Sequence, residues 1–65
     1  MDAEILKRKS YSDHPADDYL EIVLAKIGWG VHPYVTWGFN HESGGYFLGH
    51  YFETLEEAEK DFERR

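Results

Sequence analysis

Four histidines, His14, His32, His41 and His50, are the side chains of this chain whose ordinary pKa suits proton transfer near neutral pH. They are dispersed, and a zinc site normally shows close ligand spacing. No metal ligands are therefore assigned. His50 falls opposite Thr36 in the strand pairing derived below, and Ser43 lies two residues from His41. His50 beside Thr36 has the chemistry of a general base, but a hydroxyl facing an imidazole across a sheet is more often an ordinary cross-strand contact, and Ser43 with His41 lacks the elbow and the orienting carboxylate of a nucleophilic relay. The sequence contains no phosphate-binding loop, dinucleotide fingerprint, nucleophile elbow, HExxH or calcium loop. The expectation is no catalytic residue, no metal and no cofactor.

Whatever positions these groups must do so in 65 residues. At this size a domain buries only about 60% of the surface its unfolded chain exposes. There is no Cys, so no disulfide or thiolate site can add stability. Eleven residues are aromatic (two Trp, five Tyr, four Phe), and such rings bury the most area each, in a core or at an interface. The longest uncharged stretch, 27–40, holds three Gly and a Pro and is too short and polar to span a bilayer. The apolar pair Ile5-Leu6 is too short for the core of a signal peptide. A cytoplasmic protein without a membrane segment is expected.

Thirteen acidic against seven basic residues leave a formal net charge of −6. That balance disfavours nucleic acid and anionic lipid as undirected partners. Lys7, Arg8 and Lys9 cluster near one end, while Glu53, Glu56, Glu57, Glu59, Asp61 and Glu63 crowd the other. A solvated helix face explains such an acidic run, and Glu56, Glu57, Glu59 and Glu63 are taken as that face.

Residues 1–12 show no sustained apolar period and read as a loose N-terminal arm, leaving 13–65 as a single α+β domain. Ser12 or Asp13 can cap a helix, Pro15 suits a first turn and Asp17 and Asp18 its positive end. Tyr19, Leu20, Ile22, Val23, Leu24 and Ile27 recur at three- and four-residue steps, and Gly28 stands where a left-handed terminator belongs. A helix is expected over about 14–27. A strand is the competitor, because Ile22-Val23-Leu24 is a short apolar run that periodicity alone does not assign. Two runs rich in aromatic and β-branched residues, 34–40 and 46–52, flank the turn formers Asn40 to Gly45 and predict an antiparallel hairpin. Thr54-Leu55-Glu56-Glu57 is a capping box that starts a helix over about 55–64, with Leu55, Ala58 and Phe62 on one stripe. The expected order is helix, strand, strand, helix, with an aromatic hairpin packed on helices.

Alternation puts Val35, Trp37 and Phe39 on one face of the hairpin and Tyr34, Thr36 and Gly38 on the other. With a five-residue loop, Trp37 lies across the bare backbone of Gly49; a four-residue loop exchanges the faces of one strand. Either way both faces carry aromatic groups, where a half-buried ribbon would be polar outside. Two helices can sandwich the ribbon, or one face is left for a partner.

The segment Tyr46-Phe47-Leu48-Gly49-His50-Tyr51-Phe52-Glu53-Thr54-Leu55-Glu56-Glu57-Ala58 resembles the strand-then-helix step of integrase arm-binding and plant ethylene-response DNA-binding domains. Those domains read DNA with basic and aromatic strand residues. The predicted strands here have no Lys or Arg, and the helix is acidic, so the resemblance implies the local geometry and not the activity.

The functional expectation is a small non-catalytic protein-interaction module, of the kind found among bacterial or phage accessory and inhibitor proteins. Its expected surface is Trp29, Tyr34, Trp37, Tyr46, His50 and Phe52, because Trp and Tyr dominate interface energetics. The expected partner is another protein or a second copy of the chain, with a homodimer favoured. The alternative is a nucleotide-like ligand stacked on the same rings, possible at a dimer seam.

Overall fold

The computed structural model describes residues 3–28 and 30–65. Four strands, β1 (Glu4–Ser10), β2 (Leu20–Lys26), β3 (Tyr34–Asn40) and β4 (Gly45–Phe52), form one antiparallel sheet in the order β1-β2-β3-β4. One helix, α1 (Leu55–Arg64), follows. The architecture is α+β, with the hairpin and the C-terminal helix where the turn and capping signals place them. Two features differ from the sequence expectations.

The first is the helix expected over 14–27. Its cap signals build only a single 3-10 turn, Pro15–Asp17, in which the His14 Nδ1 accepts from the Ala16 amide at 3.0 Å. That turn buries no side chain, so nothing propagates it. The chain then enters β2, a central strand buried on both sides: Ile22 and Leu24 face the helix, Val23 and Ala25 the opposite side. A strand covered on both faces reads as a continuous apolar run, and its β-branched Ile22 and Val23 suit it. Among the described residues, the expected helix-strand-strand-helix layout is therefore replaced by four strands and one α-helix.

The second is the loose arm over 1–12, most of which is the edge strand β1. An edge strand exposed on both faces has no apolar period to read, and lysines on an edge discourage pairing with other chains. Its basic residues are tied inward: Lys7 Nζ lies 2.9 Å from Glu59, Arg8 Nη2 lies 2.7 Å from Glu21, and the Lys9 ammonium sits 4.8 Å from the centre of the Phe62 ring. The expectation of strands without Lys or Arg thus holds for the hairpin and fails for β1 and for Lys26 on β2.

The hairpin loop has four residues, since Asn40 pairs with Gly45. The Asn40 side-chain oxygen accepts from the Glu42 and Ser43 amides, and Gly44 takes a positive φ of 74° that an ordinary residue resists. Past this loop, a bulge between Thr36 and Gly38 adds one residue to β4, with Leu48 at φ 51°. The bulge restores the register of a five-residue loop beyond it, so Thr36 faces His50 and Val35 faces Tyr51. Trp37 does lie over Gly49: a Cβ there would stand 2.8 Å from the indole.

Two cores result. On one face Ile22, Leu24, Ala58 and Phe62 are buried, with Tyr34 and Phe52 packed against them. On the other, Val23, Ala25, Ile27, Val35 and Trp37 form a second cluster, flanked by Ala3 and Phe39. The N-cap of α1 is the predicted one, the Thr54 hydroxyl accepting from the Glu57 amide at 3.2 Å. Thr54→Ala should cost about 1 kcal/mol, measurable by urea denaturation; no change would mean that packing alone fixes the start of α1.

Candidate interaction surface

The sheet and helix are joined by a polar cluster that sequence reasoning only half located. Thr36 is fully buried, and its hydroxyl donates to Asp61 Oδ2 at 2.6 Å. His50 Nδ1 lies 3.0 Å from the same oxygen. The Arg65 guanidinium donates to the Thr36 carbonyl and hydroxyl and to the Leu48 carbonyl. The carboxylate therefore stands between hydroxyl and imidazole. In a nucleophilic relay the imidazole would touch the hydroxyl and the carboxylate would lie behind it. This order pins α1 to the sheet. Asp61 was legible in principle, since it lies three residues after the inward Ala58, at the edge of the buried stripe.

Burial pushes the Asp61 carboxyl up, but the hydrogen bonds from Thr36 and His50 and the charges of His50 and Arg65 outweigh it and hold the group below its ordinary value. A carboxyl depressed on folding stabilises fully above its unfolded value of about 3.9, and that stabilisation is lost as pH falls through the folded value. Stability should thus decline below about pH 4, and less steeply in Asp61→Asn. Parallel acid titrations of both proteins, followed by circular dichroism, check this; coincident slopes would remove Asp61 as the acid-sensitive contact. On the opposite face the Arg8 hydrogen bond, with His41 at 2.7 Å, lowers Glu21 against a desolvation penalty.

The structure divides the expected binding surface. Trp29 lies outside the described residues. Tyr34 and Phe52 pack against the helix-side core, and Trp37 is only 7% exposed. His50 is exposed but tied to Asp61. Of the expected anchors, Tyr46 stands open, at 46% exposure. On the same strand, Leu48 and Tyr51 are 64% and 53% exposed. Tyr46 and Tyr51 both lean on Trp37, with ring centres 4.5 Å and 6.5 Å away, and Tyr46 also meets Phe39 at 4.9 Å. The bulge brings these two tyrosines, five residues apart, to one face, whereas strict alternation along a strand puts residues an odd number apart on opposite faces.

The acidic face is likewise uneven. Glu59 is engaged by Lys7 and Glu56 lies 3.6 Å from Lys60, while Glu57 and Glu63 have no ion-pair partner within 4 Å among the described residues. No group of three or more His, Asp or Glu among the described residues is arranged to hold a metal ion. No described helix is long and apolar enough to cross a membrane. Compared with protein-family models, curated proteins and solved structures, the chain matches none.

Proposed function

We propose that this chain is a non-catalytic binding module, acting in the cytoplasm, that docks on a basic protein through the outer strand β4 and the adjoining acidic side of α1. One observation carries the reading. β4 is an edge strand of eight residues without a Lys, Arg, Asp, Glu or Pro, and it presents Tyr46, Leu48 and Tyr51 to solvent. Edge strands not meant for pairing are usually blunted by charge or proline, as β1 is by its lysines. Rigid, half-exposed tyrosines seated on a buried Trp lose little entropy on binding, which suits them as anchors. Glu57 and Glu63 on α1 have no ion-pair partner among the described residues, and the net charge of −6 favours a basic partner over a second copy of the chain or a phosphate polymer. A bound nucleotide would find the basic side chains of β1 already engaged.

The test is photo-crosslinking in the native cell from benzoylphenylalanine at Tyr46, with the same group at the exposed Asp13 as control. A discrete adduct from position 46 alone, with a basic protein in it and lost on Tyr51→Ser, is the expected result. An adduct of twice the chain's own mass would replace the basic partner by a homodimer. Equal or absent labelling at both positions would overturn the reading.

A further inference from the structure

At the end of the sheet where the β2–β3 loop meets the β4–α1 turn, two clefts adjoin. The Ile27 amide donates to the Pro33 carbonyl at 2.8 Å and closes that loop. Tyr34 pairs with Phe52, and beyond that pair His32, two residues before Tyr34, comes near Glu53, its Nε2 3.7 Å from the carboxylate. One cleft, about 410 Å³, is lined by Ile27, Val31, His32 and Tyr51 among others. The second, about 240 Å³, shares His32 and Tyr51 and adds Glu53 and Glu57. The pair is graded, apolar at one end and acidic at the other.

Each wall has its own chemistry. Val31 is 79% exposed and offers aliphatic surface beside Ile27. The Tyr51 ring meets Trp37 edge-on, at an interplanar angle of 89°, and leaves part of its surface open to solvent. Glu53 and Glu57 are exposed carboxylates at the start of α1. A helix N-terminus alone favours an anion, but it amounts to roughly half an elementary charge. The carboxylates of Glu53, Glu56 and Glu57 outweigh it. The occupant that matches is a long aliphatic stem ending in a cation able to lie on an aromatic ring.

We propose that this double cleft receives an arginine side chain of the protein partner, a site that rests on the protein-binding reading above. The methylene stem lies along Ile27, Val31 and Tyr51, and the guanidinium reaches Glu53 and Glu57. Arginine fits better than lysine, because its planar, weakly hydrated head stacks on a ring while its fork donates to carboxylates. Such a site joins the aromatic strand and the acidic helix into one recognition surface.

The experiment is an amide-resolved NMR titration of the whole chain at low salt with N-acetyl-arginine amide, against the neutral isostere N-acetyl-citrulline amide. Saturable shifts at residues 30–32 and 51–57 are expected with arginine, and binding about tenfold weaker with citrulline. Glu53→Gln/Glu57→Gln should abolish the difference, and since Gln also serves the capping box, that variant keeps its fold. Equal shifts with both compounds, arginine shifts that survive in the double variant, or saturation by adenosine monophosphate instead would overturn the site. A cross-linked partner from Tyr46 without arginine binding would sink the cleft and leave the protein-binding reading intact. Arginine binding without a cross-linked partner would do the reverse.

Discussion

Trp37→Ala should destabilise the protein by about 3–5 kcal/mol, the usual cost of truncating a buried Trp. For 65 residues, at roughly 0.05–0.15 kcal/mol per residue, total stability is about 3–10 kcal/mol, so the loss takes about a third or more of the whole. The expected size follows from position. Trp37 is the largest member of the core on the face without a helix, it covers the bare backbone of Gly49, and it is the platform on which Tyr46 and Tyr51 rest. Each aromatic pair adds about 0.5–1.5 kcal/mol beyond its buried area. Thermal unfolding followed by far-ultraviolet circular dichroism reads the effect, as a fall in Tm of more than about 12 °C. Tyr46→Ala, at a half-exposed ring, should cost far less. A Trp37 variant within 1 kcal/mol of the parent, on the order of a surface change, would mean that this face is not a core.

Phe62→Ala should be comparably severe, at about 3–5 kcal/mol. Leu55 is partly exposed and Ala58 is small, so Phe62 is the bulky side chain by which α1 grips Ile22 and Leu24. A ten-residue helix is marginal in water without packing, since isolated helices need about 12–15 residues. Losing Phe62 therefore undocks α1 and melts it together, and also strips Lys9 of the ring beneath its ammonium. Hydrogen exchange should show amides of α1 exposed at much lower free energy than those of β2 and β3. Phe62→Leu, which keeps most of the volume, should stay within about 1.5 kcal/mol. If α1 stayed protected in the alanine variant, the Asp61, His50 and Arg65 contacts would be what holds it.

The hairpin and α1 were legible in the residues themselves, because their signals are local. Asn40 and Gly44 make the turn by their own side-chain and backbone preferences, and Thr54 with Glu57 caps the helix regardless of what lies beyond. The placement of Trp37 over Gly49 was also foreseeable, as one of two registers. The absence of cysteine, the excess of acidic residues and the aromatic wealth likewise stand in the composition alone.

Tertiary structure decided the rest. Whether Ile22-Val23-Leu24 became helix or strand depended on having a neighbour on each side, and β1 supplied one of them from residues with no apolar period. The bulge at Leu48 decided which rings share a face, by shifting every residue between it and the loop one place, a choice no alternation rule contains. Of the expected anchors, Tyr46 on the shifted stretch stands open, while Trp37, Tyr34 and Phe52, none of them on that stretch, are taken up in packing. Local chemistry dictates turns and caps because their partners lie within a few residues; burial, register and surface depend on partners that only the folded chain brings near.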